Sequence, residues 1–171
     1  MDKRKLIVLI LVLIAEVIQF FGPARTNPPI DDSKTIMADL QVPVEVMQIL
    51  ERSCFDCHSY ATKWPWYSYI APVSWLVVND VNEGRRHLNF SAWTDYETKK
   101  KVKALDELCE EVEEGGMPLK PYLWMHSDAR LSEQDVQTLC DWTKSAIATL
   151  RGTTPTNDED EDEHEKDEYD Y

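Results

Sequence analysis

Basic residues are scarce in this chain: Lys and Arg number 18 against 32 Asp and Glu, and the formal net charge is −14 at pH 7. Because such a chain repels phosphates, nucleic acid is not an expected partner. The excess of acid is concentrated at one end, where residues 157–171 hold ten acidic residues against one Lys. A segment of this composition cannot bury enough apolar surface to fold. Residues 153–171 are therefore predicted to be a disordered acidic tail, outside the folded domain.

Strand patterns are also missing. No stretch from Val42 to Gly152 shows a convincing strict alternation of apolar and polar residues. Apolar residues recur there at helical spacing, and prolines and glycines fall where helices begin and end. The prediction is an all-α fold in which residues 42–152 form a small bundle of about four helices. These helices are expected at roughly Pro43–Cys54, Pro72–Arg86, Asp95–Glu114 and Ser132–Gly152.

The N-terminus carries an apolar run, Leu6–Phe21, directly after the basic residues of MDKRK. A clean A-x-A cleavage site is missing after it, and sixteen residues give a helix of roughly 24 Å against a hydrocarbon core of ~30 Å. A cleaved signal peptide and an uncleaved anchor both remain possible, and we favour a signal anchor or transmembrane helix over residues 1–22. The Pro-rich residues 23–41 are expected to form a linker. This arrangement predicts an inner (cytoplasmic) membrane protein whose domain lies on the periplasmic, extracytoplasmic side.

Cysteine is scarce as well, with four in the chain, and two of them form the motif CFDCH. Cys54 and Cys57 are separated by two residues, and His58 follows at once. This spacing is typical of covalent c-type haem attachment, because two thiols add to the two vinyl groups on one edge of the porphyrin. The next residue then binds the iron from the proximal side. The motif predicts one haem c per chain, with Cys54 and Cys57 as thioether cysteines and His58 as the proximal iron ligand.

Three other uses of the C-x-x-C motif remain open. Zinc needs two further ligands; Cys109 and Cys140 could supply them, but no second C-x-x-C or H-x-x-H is present. A redox dithiol is expected in a βαβ setting, which the pattern does not show. A disulfide between Cys54 and Cys57 would be short and strained. Cys109 and Cys140 themselves lie on apolar helical stripes, where they either form a disulfide or remain buried free thiols.

Two longer stretches carry a family resemblance. CFDCHSYATKWPWYSYIAPVSWLVVNDVNEGRRHLNFSAW and the later EEVEEGGMPLKPYLWMHSDARLSEQD closely resemble a small exported bacterial haem-binding domain family built around CxxCH. That family is similar in outline to class I cytochromes c, and the resemblance covers about Val42–Leu150. It implies a cytochrome c-like helical bundle that binds haem outside the cytoplasm.

The second iron ligand is predicted to be Met117, in EGGMPLK. A methionine on a loop well downstream of CxxCH resembles the distal methionine of class I cytochromes c. Met117 as a residue that fills an apolar gap remains an alternative. So do Met125, His126 or His87 as ligands, and an open sixth position.

Aromatic residues crowd the stretch after His58. Their flat apolar faces suit a porphyrin, although each taken singly is explained by an ordinary core. Arg85 and Arg86 have two interpretations as well, as partners of haem propionates or as plain surface residues. The predicted haem-pocket residues are Trp64, Trp66, Tyr67 and Trp75.

His/Met ligation raises the reduction potential and suits electron transfer. The sequence therefore predicts a membrane-anchored mono-haem c-type cytochrome that carries electrons between unidentified redox partner proteins and is not an enzyme. The alternative is a haem-based sensor or peroxidase-like protein with a labile sixth ligand. A zinc-stabilised interaction module is the third possibility.

Overall fold

The computed structural model describes residues 2–152, so the predicted acidic tail, residues 153–171, lies outside the described residues. Within residues 2–152 the chain forms helices and no strand, which confirms the prediction of an all-α fold. The helices are α1 (Lys3–Val17), α2 (Ile36–Asp39), α3 (Val44–Ser53), α4 (Phe55–His58), α5 (Val73–His87), α6 (Thr98–Glu113), α7 (Lys120–Leu123) and α8 (Glu133–Gly152). Short 3-10 helices occupy Ile18–Phe21, Asp32–Lys34, Trp66–Tyr69, Phe90–Asp95 and Ser127–Ala129.

The four predicted helices correspond to α3, α5, α6 and α8. A capping box stands at the predicted start of α8: the Ser132 N–H donates to Asp135 Oδ2 at 2.8 Å, and the Asp135 N–H donates to Ser132 Oγ at 3.2 Å. Helix α6 begins three residues later than expected because Phe90–Asp95 forms its own 3-10 helix. The Asn89 side chain caps that helix by accepting the Ser91 N–H at 3.0 Å.

The hydrophobic core lies between α6 and α8, with α3 and α2 packed against them. Trp93 is fully buried there, and its indole N–H donates to Asp39 Oδ2 at 2.8 Å. The same carboxylate oxygen accepts from Lys101 Nζ at 2.8 Å, so the buried indole is tied to a partly buried ion pair. Besides Trp93, the largest buried side chains are Phe90, Ile36, Leu50, Leu105 and Leu139.

The segment expected to be a linker, residues 23–41, packs against the domain. Ile36 is fully buried and Leu40 is buried, both in the core. Asn27 Nδ2 donates to the Thr62 carbonyl at 2.8 Å, and Arg25 Nη1 donates to the Ser68 carbonyl at 3.0 Å. The segment differs from a free tether because its few apolar side chains complete the core and its polar side chains satisfy backbone carbonyls.

The N-terminal apolar run forms α1 and then the 3-10 helix Ile18–Phe21. α1 has 15 residues, none of them buried. Among residues 2–152, no helix combines the length and the apolar character needed to cross a membrane.

Cys109 and Cys140 form a disulfide between α6 and α8, with their Cα atoms 4.9 Å apart. This decides between the two interpretations of these cysteines. Because the cysteines are 31 residues apart in the sequence, the bond closes a long loop of the unfolded chain.

Replacing both bridging cysteines should destabilise the domain. For the Cys109→Ser, Cys140→Ser variant we expect the free energy of unfolding to fall by about 3–4 kcal/mol, from the loop-closure entropy returned to the unfolded chain. Urea denaturation of the haem-free protein measures this loss. The matched control is Cys54→Ser, Cys57→Ser, which removes the free thiols and keeps the disulfide. An equal loss in the control would contradict the prediction.

Candidate functional site

The CFDCH motif forms a single helical turn directly after α3. The Cys54 N–H donates to the Leu50 carbonyl at 2.9 Å, and the His58 N–H donates to the Cys54 carbonyl at 2.9 Å. Cys54 and Cys57 are both half-buried free thiols. The structure therefore presents two unused sulfur atoms and an imidazole on one short turn.

His58 is held by a backbone carbonyl. Its Nδ1 lies 3.0 Å from the Leu88 carbonyl oxygen, which can only accept, so Nδ1 carries the proton. Nε2 is then the nitrogen with a free lone pair, the arrangement found in metal-binding histidines. Burial lowers the pKa of His58, against the opposite effect of hydrogen bonds to the Leu88 and Gly84 carbonyls. The imidazole is thus kept neutral and able to bind iron.

Helix α5 approaches the motif at a glycine. A Cβ added at Gly84 would lie 2.8 Å from the Cys57 carbonyl oxygen and 3.1 Å from Cys57 Cβ. Both distances are shorter than van der Waals contact. The nearest atom is a backbone carbonyl oxygen, which cannot move aside as a flexible side chain could. Only glycine permits this closeness, and the residue carries no sequence signal beyond its place in the helix.

The two thiols are poorly reactive in the haem-free fold. Burial raises the pKa of both Cys54 and Cys57 to about 12, with a further rise from the charge of Cys57 at Cys54 and of Asp56 at Cys57. Redox dithiols have the opposite property, because their function requires a stabilised thiolate. The environment of these cysteines therefore disfavours the redox dithiol interpretation.

The zinc interpretation also loses support. Among residues 2–152, the one group of His, Cys or acidic side chains whose donor atoms are close enough to share a metal ion is Cys109, Glu113 and Cys140. Two of its three donors are the sulfurs of the disulfide. They are not gathered with Cys54 and Cys57 into a four-ligand site.

The four predicted pocket aromatics fall into two groups. Trp64 is half-buried, and its buried indole N–H has no hydrogen-bond partner among residues 2–152. Burial raises the pKa of Tyr67, and the charges of Asp56 and Cys57 raise it further. The Tyr67 hydroxyl is therefore close to the motif. Trp66 and Trp75 are 67% and 41% exposed, and the Trp75 indole N–H donates to the Phe21 carbonyl at 3.0 Å. Trp75 thus contacts the end of the N-terminal segment.

A polar cluster that the sequence did not indicate joins the motif to the segment after α6. The Tyr122 hydroxyl donates to Asp56 Oδ2 at 2.8 Å, and the His126 ring stacks on Tyr122 with centroids 4.2 Å apart. His126 Nε2 and the Tyr67 hydroxyl share a hydrogen bond of 2.8 Å. Burial first, and then the bond to Asp56, raise the pKa of Tyr122. Asp56 belongs to CFDCH, whereas Tyr122 and His126 belong to YLWMH, far along the sequence. Only the fold brings the two stretches together.

Met117 is half-buried and packs against the edge of the core. Its N–H donates to the Glu111 carbonyl at 3.1 Å, which holds the loop against the end of α6. Its part as an iron ligand stays a prediction, as do the alternatives Met125 and His87, which are both exposed.

The role of Arg85 as a partner of haem propionates is disfavoured, because its guanidinium already donates hydrogen bonds to four protein acceptors. It donates to the carbonyls of Ser59 at 2.8 Å and Thr26 at 2.9 Å, and to Asn27 Oδ1 and Thr62 Oγ1, each at 2.9 Å. Arg85 thus ties the segment before the domain to the loop after the motif. The neighbouring Arg86 is exposed and pairs with Glu83.

A methyl group at Gly84 should force α5 away from the motif. Gly84→Ala gains helix propensity but meets the Cys57 backbone, so we expect a net destabilisation of about 1–3 kcal/mol. Urea denaturation of the haem-free protein measures it. The matched control, Gly152→Ala, meets no atom within 4 Å and should be neutral or slightly stabilising. Equal stability of the two variants would show that the close contact is not required.

The thiols of Cys54 and Cys57 should react slowly with an alkylating reagent. At pH 8 a pKa of about 12, against an ordinary value of 9.0, leaves far less thiolate, so iodoacetamide should react about 10- to 1,000-fold more slowly than in the urea-unfolded chain. The rate in the folded protein should rise with each unit of pH. Mass spectrometry of the haem-free protein follows the reaction, and equal rates in folded and unfolded chains would contradict the assignment.

Comparison with known proteins shows the family to which the chain belongs. No curated protein and no solved structure matches the chain. A family model described as a haem-binding domain matches residues 13–145, which include the CFDCH turn, the Tyr67–His126 bond and both halves of the disulfide. Since that match covers most of the chain, this protein belongs to the haem-binding domain family.

Proposed function

We propose that the haem of this protein is a c-type haem, attached covalently at Cys54 and Cys57 and bound through its iron by His58. The observation that carries the proposal is the His58 tautomer, with Nδ1–H on the Leu88 carbonyl and Nε2 left as a base. Each thiol would add its sulfur and its proton across one vinyl group, so a thioether forms with no change in electron count. When bound, the haem supplies an iron that exchanges one electron between its ferric and ferrous states.

The residues around the motif fit such a group. Two free thiols lie on one turn with the neutral His58, and the buried Trp64 indole N–H has no protein partner among the described residues. An unpaired buried donor costs about 1–3 kcal/mol, and an anionic propionate is the kind of acceptor that would remove this cost. We assign Trp64 as a propionate donor, a role for which the sequence analysis had considered Arg85 and Arg86.

We propose Met117 as the sixth ligand. The choice over His126 rests on hydrogen bonding: His126 Nε2 is shared with the Tyr67 hydroxyl and its ring is stacked on Tyr122. Among residues 2–152, the thioether of Met117 makes no competing hydrogen bond that would have to be broken. With His58 and Met117 both holding the iron, no position would be left for a substrate, and the protein would act as an electron carrier for partner proteins.

The alternative, a sensor or peroxidase-like protein, needs a vacant or labile sixth position. Peroxide cleavage also needs a distal acid–base pair free to act. The nearest candidates are committed elsewhere, since Arg85 has four acceptors from the protein and His126 is held between Tyr67 and Tyr122. This favours the carrier over the alternative.

We further propose that the protein is exported and held at the inner membrane by its N-terminal segment. The basic start followed by an apolar run supports this, and so does the Cys109–Cys140 disulfide, since such bonds persist in oxidising compartments. Covalent c-type haem attachment also takes place outside the cytoplasm, on thiols that are still reduced.

The sixth ligand is tested by spectroscopy of the full chain produced with c-type haem maturation. In Met117→Ala we expect loss of the weak far-red band that marks methionine–iron bonding, and fast binding of carbon monoxide to the reduced protein. The matched control, Met125→Ala, removes an exposed methionine and should leave both properties unchanged. If His126→Ala and not Met117→Ala produces these changes, the ligand is His126. A colourless wild-type protein that carries zinc would contradict the haem proposal itself.

Trp64→Phe tests the propionate donor by comparing two forms of the protein. Without haem, removing an unpaired buried donor should leave stability unchanged or slightly raised. With haem, the same change should lower the free energy of unfolding by about 1–2 kcal/mol, because the bond to the propionate is lost. Trp124→Phe, at a side chain that is 80% exposed, is the control and should change neither form. An equal effect in both forms would assign Trp64 to the core alone.

A further inference from the structure

An exposed apolar surface without charge surrounds the end of the N-terminal segment. Residues 64–79 contain no Lys, Arg, Asp or Glu. They form the 3-10 helix Trp66–Tyr69 and the first half of α5. We call their exposed apolar side chains the collar: Trp66, Tyr69, Ile70, Val73, Trp75 and Leu76, which are 40–67% exposed.

The collar is continuous with the apolar N-terminal segment. Gln19 makes two hydrogen bonds to Ala71, from Nε2 to the carbonyl at 3.3 Å and from the Ala71 N–H to Oε1 at 2.9 Å. The Trp75 indole N–H donates to the Phe21 carbonyl at 3.0 Å. Phe20 and Phe21, 86% and 69% exposed, therefore lie beside the collar. The exposed apolar side chains of α1 are therefore joined to those of the collar through residues 18–21.

The chemistry of this corner is that of a membrane interface. Tyr and Trp have apolar rings with polar tips and concentrate where hydrocarbon meets headgroups. Arg25 lies over the Tyr69 ring, 4.2 Å from its centroid, and adds beside the aromatic residues a cation of the kind that attracts anionic lipid headgroups. No acidic residue of the collar segment opposes it.

A lipid bilayer fits this surface better than a protein groove does. α1 buries no residue, and its residues 6–15 are apolar on every side; its charged residues are Lys3, Arg4 and Lys5 at its start and Glu16 near its end. A helical stretch without a polar face needs apolar surroundings all round. A groove covers one face of a helix, whereas hydrocarbon covers them all. With 15 residues α1 rises only ~22 Å, so the domain at its end is drawn towards the headgroups.

We propose that the collar docks on a phospholipid bilayer that α1 enters, so that the haem domain lies against the membrane in one orientation. This rests on the proposed membrane anchoring and adds a second contact to it. The collar buries its aromatic and aliphatic side chains at the headgroup boundary, and the two hydrogen-bonded links at Ala71 and Trp75 keep the domain from swinging about the end of α1.

The test is hydroxyl-radical footprinting of the full chain in phosphatidylcholine–phosphatidylglycerol vesicles that have been isolated by flotation. Oxidation of Trp66 and Trp75 is measured by mass spectrometry relative to Met37, which is 48% exposed on α2, outside the collar. In the wild type we expect this ratio to be several-fold lower than in the variant Ile70→Glu, Leu76→Glu in the same vesicles. The matched control, Ile30→Glu, Val44→Glu, adds the same charge at exposed apolar sites outside the collar and should keep the wild-type ratio.

The outcomes separate the two proposals. A chain that does not float with vesicles overturns the anchoring and the docking together. A wild type that floats with Trp66 and Trp75 as oxidised as in the collar variant overturns the docking and leaves the anchoring intact. Protection that fades as the lipid-to-protein ratio is raised would assign the collar to contacts between copies of the chain, which also overturns docking on lipid. Circular dichroism of both variants checks that the fold is retained.

Discussion

The approach of α5 to the backbone of Cys57 at Gly84 positions the groups that hold His58 and the loop after the motif. Because α5 sits that close, the Leu88 carbonyl just beyond its end reaches His58 Nδ1 at 3.0 Å. The same helix carries Arg85, which holds the loop after the motif and the segment before the domain. A larger residue at position 84 would disturb the turn of CFDCH, the orientation of His58 and the clamp of Arg85 together.

Haem binding and the main helices could be predicted from the sequence because both predictions depend on local spacing. C-x-x-C-H is read over five residues, and the helices are read from apolar residues repeated along one face. The disulfide could not be decided in that way, since helical stripes show which face a cysteine occupies but not its height along the partner helix. The helix–turn contact at Gly84 and the bond between Asp56 and Tyr122 were not foreseen for the same reason, because residues far apart in the sequence make them.

Residues 23–41 show a further limit of composition. Their prolines and polar residues are typical of a linker, yet Ile36 and Leu40 fill the core, and Asn27 and Arg25 bond to carbonyls of the loop after the motif. Arg85 binds the same segment from the other side. A few buried side chains and paired donors are enough to order a segment that looks flexible by composition. The match of the family model from residue 13 is consistent with a domain that includes this segment.

The burial of Cys54 and Cys57 also bears on how four cysteines share one chain without mispairing. Disulfide formation proceeds through thiolates, and these two thiols stay protonated once the fold has formed around them, whereas Cys109 and Cys140 are brought within bonding distance by the packing of α6 on α8. Folding therefore sorts the cysteines into an oxidised pair and a reduced pair. In an oxidising compartment, the desolvation of Cys54 and Cys57 would oppose oxidation of this reduced pair.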